Sequence, residues 1–336
     1  MSISRSSSFE GIPEVASQQF REPWGLLLPP GALSRASGLP LAATRMTSIT
    51  RREVLAVAAA IAGAGVLSDC SPAEMRTSDS VRRGRLKQSV SRWPYDRIPL
   101  RDFCKACAAM GLKAIDLLQP GDWEIVREYG LVCSMGYPTE RDDFLSNGFN
   151  KRASHAMLIR ELEATIPLAA KHAVPNVIAM FGNRGGISDT EGISACVEGL
   201  RRIAPLAEEH QVTVCVELLN SKVDHKDYHG DHTAFGVEVM KGVASMRVKL
   251  LYDIYHMQIM EGDVIRTIRD NISHIAHFHT GGVPGRNELD ETQELNWRAV
   301  ATAIVDTGFR GFVAHEFVPT RDPLTSLREA VTVCDV

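Results

Sequence analysis

The sequence lacks any apolar run long enough to cross a bilayer. The longest, Val54 to Leu67, has 14 residues, short of the roughly 20 that a membrane helix needs, so no stable membrane span is expected. It lacks an excess of positive charge. Against 41 Asp and Glu stand 37 Lys and Arg, a net charge of −4, which removes the bulk attraction expected of a nucleic-acid-binding protein. It lacks a paired cysteine framework, since its seven cysteines are odd in number and scattered over 336 residues. What remains, 44% hydrophobic and 23% charged, is the composition of a globular protein rather than a disordered chain, a collagen-like repeat or a coiled coil. The length fits one large domain or two smaller ones.

Charge is unevenly spread. Residues 1–85 hold ten basic and seven acidic residues, a local +3, which leaves −7 on the other 251. Residues 1–45 are rich in Ser, Pro, Gly and Arg without a sustained period, and read as a disordered leader or an upstream-extended start. Residues 46–85 read as an export signal and linker. Thr50-Arg51-Arg52-Glu53-Val54-Leu55 sets an arginine pair before the apolar stretch. That order describes an export signal, and it resembles a twin-arginine signal, which implies an exported, periplasmic protein. Leu67-Ser68-Asp69-Cys70 resembles a lipoprotein cleavage box, although Asp69 stands where such boxes carry a small residue.

From Leu86 onward, strand-like runs alternate with helix-like segments. The strands are predicted at Leu86–Ser91, Ala114–Leu118, Leu131–Tyr137, Asn176–Gly182, Thr213–Asn220, Val248–His256, Ile272–Thr280 and Gly311–Phe317. The clearest helical patterns are Lys151–His172, Thr190–His210 and Asn296–Thr307, with Pro167 expected to kink the first. Strand–helix alternation implies βαβ units and a parallel sheet. Eight units in about 250 residues fit a single-domain α/β fold, the (β/α)8 TIM barrel, over residues 86–336. The alternative is a doubly wound open sheet. Its dinucleotide-binding form is weakened by Lys87-Gln88-Ser89-Val90-Ser91-Arg92-Trp93, which carries no glycine.

In a barrel, catalytic groups lie at the C-terminal ends of the strands. Four successive strands end on a carboxylate or an imidazole: Glu217, Asp253, His279 and Glu316. Any one alone would read as a strand-end ion pair or a packed core histidine. Four in a row are harder to dismiss, because a charge in an apolar run is costly to bury without a partner. Three carboxylates and one imidazole suit a hard divalent cation, Mg²⁺ or Mn²⁺, rather than a thiolate-rich zinc site.

These residues carry a specific resemblance. Val216-Glu217-Leu218-Leu219-Asn220-Ser221-Lys222-Val223-Asp224-His225, Asp253-Ile254-Tyr255-His256-Met257-Gln258 and Val283-Pro284-Gly285-Arg286-Asn287-Glu288 are similar to motifs of the xylose isomerase-like barrel superfamily, in its hydroxypyruvate isomerase and sugar epimerase branch. The resemblance implies metal ligands Glu217, Asp253, His279 and Glu316. It implies catalysis by Glu217 and Glu316, and substrate contacts at His256, Arg286 and Asn220. Two positions depart from the hydroxypyruvate isomerase pattern. His279 stands where glutamine is expected, as in the epimerase branch, and Gly282 stands where an aspartate is expected.

The implied chemistry is proton transfer beside a carbonyl through an enediolate, with a metal polarising the carbonyl and two carboxylates moving the proton. Arg286 would suit a substrate carboxylate, because guanidinium and carboxylate pair bidentately. The expected substrate is a small hydroxy-keto acid such as hydroxypyruvate, or a sugar in a ketose 3-epimerase. An endonuclease on the same barrel is disfavoured by the −7 charge. An exported sugar-binding protein is disfavoured by the complete ligand set. A homo-oligomer is compatible with the sequence.

Three other features read as structural. Cys104-Lys105-Ala106-Cys107 is expected to pack in a first helix, Leu100 to Met110. Asp224 to His232, rich in His and Asp, reads as a second metal site or, in preference, as an active-site lid with its histidines near solvent. Pro138 to Asp143 reads either as a pocket border or as a plain solvated loop.

Overall fold

The structure, a computed structural model, describes residues 84–336. The leader, the arginine pair, the apolar stretch and Cys70 lie outside the described residues. Eight parallel strands close into one barrel in sequence order: β1 (Lys87–Ser91), β2 (Ala114–Leu118), β3 (Val132–Gly136), β4 (Asn176–Met180), β5 (Thr213–Leu218), β6 (Val248–Asp253), β7 (Ile275–Thr280) and β8 (Phe312–His315). Closure is direct, with Lys87, Gln88, Ser89 and Val90 of β1 in register with Phe312 to His315 of β8. This is the single-domain (β/α)8 barrel expected from the alternation, and the open-sheet alternative falls away.

The helices form the outer layer: α1 (Leu100–Ala109), α2 (Trp123–Arg127), α3 (His155–Lys171), α4 (Asp189–His210), α5 (Thr233–Val243), α6 (Ile254–Met260), α7 (Val264–Asn271), α8 (Trp297–Asp306) and α9 (Pro323–Val333). Each hides one apolar stripe against the strands. In α3 the stripe is Leu158, Ile159, Leu162 and Ile166, the i, i+4 recurrence that aligns side chains on one helical face. The helix runs on through Pro167 to Lys171. A Ser188–Glu191 capping box starts α4, each side chain bonding the other's backbone N–H. Every residue of β2, β4 and β5 is buried. Strands covered on both faces read as continuous apolar runs, which is why Val177-Ile178-Ala179 and Val214-Cys215-Val216 show no alternation.

The largest correction concerns the sixth strand. It stops at Asp253, and Ile254–Met260 is helical. Asp253 itself switches the chain. Its Oδ1 accepts the backbone N–H of His256 at 3.1 Å, the geometry of a helix N-cap. The seventh strand begins at Ile275, after a 3-10 turn over Ile272–His274. Cys104 and Cys107 are buried free thiols on α1. Burial pushes the Cys104 thiol up to about 11, so the pair packs rather than reacts. Among the described residues no helix is long and apolar enough to cross a membrane.

Candidate functional site

Glu217, Asp253, His279 and Glu316 converge at the C-terminal end of the barrel. One donor atom from each lies within 4.8 Å of the other three, and all four residues are buried. His279 Nδ1 stands 2.7 Å from Glu316 Oε2, 3.1 Å from Glu217 Oε1 and 3.9 Å from Asp253 Oδ2. The strand register produces this meeting, because Asp253 of β6 pairs directly with His279 of β7.

The donor set fits a divalent cation. Three carboxylates gathered in a buried site repel one another, and burial disfavours their charged forms. Burial, reinforced by Glu316 and Glu217 against the pull of Arg286 and His279, pushes the Asp253 carboxyl up to about 7. Burial likewise raises Glu217. Glu316 goes the other way, to about 2. Burial opposes that shift, but His279, Arg286 and the Trp93 indole favour the ionised form and prevail. Oxygen donors and one imidazole nitrogen are the ligands that Mg²⁺ and Mn²⁺ take. The cavity beside the cluster is narrow, about 20 Å³, room for a water-sized body. Trp93, Tyr137, Met180, His225, Arg286 and Glu316 are among its walls. A groove of about 370 Å³ adjoins it through Leu145 and His225, with Asp142, Ser146 and Lys226 on its sides.

Arg286 reaches the cluster from the loop after β7. Its Nη2 donates to Glu316 Oε2 at 2.7 Å and lies 3.8 Å from Asp253 Oδ2. The guanidinium also stands over the rings of Trp93 and Tyr255, 5.1 and 5.5 Å from their centroids, in cation–π contact. The loop is pinned by Glu288, a buried carboxylate two residues on. It accepts hydrogen bonds from the Thr320 N–H and hydroxyl, the Arg321 N–H and the Ser326 hydroxyl. This packing also explains the departure at Gly282. A Cβ there would meet the Glu288 carbonyl oxygen at 2.2 Å, so the backbone leaves no room for aspartate.

His256, on the first turn of α6, is fully buried beside Asp253, with Nε2 3.6 Å from Asp253 Oδ2. Asn220 fixes its tautomer. The Asn220 carbonyl oxygen accepts the N–H groups of Val223 and Asp224, so its NH₂ must face the other way. That group donates to Asp224 Oδ2 and to His256 Nδ1, both at 2.6 Å. His256 Nδ1 is thus an acceptor, and Nε2 carries the hydrogen. Nε2 has no hydrogen-bond partner among the described residues. Burial holds this imidazole neutral, well below its ordinary pKa. Every amide atom of Asn220 is committed to the protein, so Asn220 sits behind His256 rather than in the cavity.

Residues that the sequence reading missed support the cluster. Trp93, just after β1, donates its indole N–H to Glu316 Oε1 at 2.7 Å. Asp116 of β2 lies 2.8 Å from His279 Nε2. The loop from Asp224 to His232 divides in two. His225 lines the cavity and His232 is exposed. His229, expected near solvent, is fully buried, its ring tilted against that of Phe235 with centroids 4.5 Å apart. It fits because Gly192 faces it, where a Cβ would come within 2.1 Å of the ring. In the charged loop after β3, Asp142 borders the groove, while Arg141 is tied to Glu161 at 2.6 Å and to Asp143.

The family model of the xylose isomerase-like TIM barrel matches residues 84–334. The chain belongs to that family. Among curated proteins it is 28% identical to hydroxypyruvate isomerase of Escherichia coli (strain K12) over 212 residues, 63% of this chain and 74% of that protein. It is 33% identical to D-psicose 3-epimerase of Ruminiclostridium cellulolyticum over 124 residues, 36% of this chain and 39% of that one. A solved structure, the family 2 AP endonuclease of Brucella melitensis, matches with a TM-score of 0.63 at 22% identity, covering 72% of this chain and 97% of the other. That likeness speaks to the fold.

Proposed function

We propose that the protein is a divalent-metal-dependent isomerase of a small α-hydroxy carbonyl compound, acting through an enediolate, with hydroxypyruvate as its substrate. The observation that carries the reading is the buried convergence of Glu217, Asp253, His279 and Glu316 within 4.8 Å, with the Arg286 guanidinium 2.7 Å from one of them. A divalent cation held by these four residues would polarise the substrate carbonyl and offset negative charge developing on its oxygen.

The chain's own groups do the rest. One carboxylate of the Glu217 and Glu316 pair takes the proton from C3 of hydroxypyruvate, which leaves an enediolate across C2 and C3. A proton is returned to C2, and the hydroxyl proton on the C3 oxygen passes to the C2 oxygen, so that C3 becomes the aldehyde of 2-hydroxy-3-oxopropanoate. His256 donates its Nε2–H to a substrate oxygen, held in the donor tautomer by Asn220. Arg286 pairs with the substrate carboxylate, and the Trp93 and Tyr255 rings keep its guanidinium in plane.

A second reading, a ketose 3-epimerase, draws support from His279, the residue type of the epimerase branch, and from the groove that adjoins the cavity. Proton NMR in D₂O separates the two. Metal-stripped full-length protein is given Mg²⁺ or Mn²⁺ and offered hydroxypyruvate beside free ketoses. Metal-dependent exchange at C3 of hydroxypyruvate is expected. Exchange with ketoses alone would move the protein to the epimerase reading, and none with either would reject both. Export through the arginine pair is also proposed. Arg51→Lys with Arg52→Lys should then retain the protein in the cytoplasm on cell fractionation.

A further inference from the structure

His279 faces the cluster with Nδ1, which leaves its other nitrogen to be explained. Nε2 points away from the cluster to Asp116, a fully buried carboxylate 163 residues earlier in the chain, whose Oδ2 lies 2.8 Å away. A second imidazole approaches the same oxygen, His277 Nε2 at 3.2 Å. The Ser134 hydroxyl donates to Oδ1 at 2.5 Å. Three groups from β3 and β7 therefore surround one carboxylate of β2.

The directions of these bonds follow from the inventory. With a hydroxyl on one oxygen and two imidazoles on the other, Asp116 is the acceptor, and each histidine presents its hydrogen from Nε2. For His277 this places the hydrogen on Nε2 and leaves Nδ1, which has no partner among the described residues, as a bare acceptor. An unpaired acceptor is the milder fault, since buried N–H groups without partners are rarer. The backbone is bent to make the arrangement. The β2–β3 register shifts on both sides of Asp116, and Leu117 takes a φ of +55°, a conformation unfavourable for a branched side chain. Bulges of this kind re-aim a side chain beside a functional site. Strain of this sort persists only where the surroundings over-determine it.

We propose that Asp116 is a positioning residue. It accepts the Nε2–H of His279 and so aims the Nδ1 side of the ring at Glu217, Asp253 and Glu316, while His277 and Ser134 hold the carboxylate in place. The proposal rests on the metal-dependent reading above and concerns a residue outside the ligand set. Carboxylate–imidazole pairs orient metal-bound histidines in general, and their loss typically costs about 10–100-fold in metal affinity or activity.

The test uses the full-length, metal-stripped protein. Mn²⁺ is titrated calorimetrically into wild type, Asp116→Ala and Asp116→Asn. Wild type should bind one Mn²⁺. Asp116→Ala should bind it about 10–100-fold more weakly. Asp116→Asn should recover part of the loss, because its amide oxygen can still accept from both histidines. Nitrogen-15 NMR of histidine-labelled, Mg²⁺-loaded wild type, with the signal assigned by its absence in His279→Gln, should show His279 protonated at Nε2. This second measurement keeps the proposal falsifiable even if Asp116→Ala fails to fold, as does the Mn²⁺ affinity of Asp116→Asn. Equal Mn²⁺ affinity in a folded Asp116→Ala would overturn the proposal, as would an Nδ1–H tautomer of His279. Two Mn²⁺ per wild-type chain, with one lost in Asp116→Ala, would put an ion at Asp116 and overturn it too. Wild type that binds no Mn²⁺ would sink the metal reading itself. Normal wild-type binding with an unaffected variant would sink only the role of Asp116.

Discussion

The two halves of the barrel divide the labour unequally. Strands β5 to β8 supply Glu217, Asp253, His279 and Glu316, each at or just beyond a strand end. The half from β1 to β4 supplies none of the four. It supplies the Trp93 indole N–H on Glu316 and the Asp116 carboxylate on His279. One half presents the groups that would react, and the other sets their direction and ionisation. A closed barrel permits this because β1 pairs with β8, so residues far apart in sequence meet across its axis. Substitutions in the two halves should therefore fail differently.

The largest effect is expected in the second half. Glu217→Gln and Glu316→Gln should each cut kcat by about 10²–10⁴-fold, the usual range for losing a general acid or base. Circular dichroism should show an unchanged fold. Near-normal turnover in either variant would break the division. A smaller effect, on stability, is expected at Gly282. Restoring the aspartate of the related pattern should cost about 1–3 kcal/mol by overpacking, read as a lower Tm. A Gly282→Asp variant as stable as wild type would show that this loop yields more readily than its contacts suggest. The first half should give the smallest effect. Trp93→Phe keeps an aromatic face for Arg286 and removes one N–H. Losing a hydrogen bond to a charged group is worth about 1.5–3 kcal/mol at most, so kcat/KM should fall by no more than roughly 100-fold. A loss as large as that of Glu316→Gln would move Trp93 from the supporting half to the reacting one.

The same division governs what the sequence reveals. The barrel was legible because parallel strands covered on both faces form apolar runs that stand out from amphipathic helices, and Ala114–Leu118 has the same bounds in both views. The four cluster residues were legible because each interrupts such a run near its end. Asp116 interrupts one as well, in Ala114-Ile115-Asp116-Leu117-Leu118. It sits mid-strand, however, and its two histidine partners lie 161 and 163 residues away, so nothing nearby names them. Trp93 is hidden in the same way, 223 residues from Glu316. His256 was found but given to a strand, because the capping hydrogen bond that starts its helix comes from Asp253, whose other oxygen faces the cluster. His229 was misplaced because a loop rich in His and Asp looks solvated, whereas the cavity that receives its ring is made by a glycine on another element.

The pinning of Glu288 bears on how tightly a substrate can bind. A flexible loop that carries a recognition arginine must be ordered each time a ligand arrives, and that lost freedom is subtracted from the affinity. Here four donors from the segment after β8 converge on one carboxylate two residues past Arg286, and the Arg286 carbonyl accepts the Val318 N–H at 2.6 Å. The conformational entropy of the Arg286 backbone is surrendered when the barrel folds, before any ligand is present. On the proposed function, a small substrate with few atoms to offer would meet a guanidinium already in position, and its association should show little of the unfavourable entropy that marks loop closure.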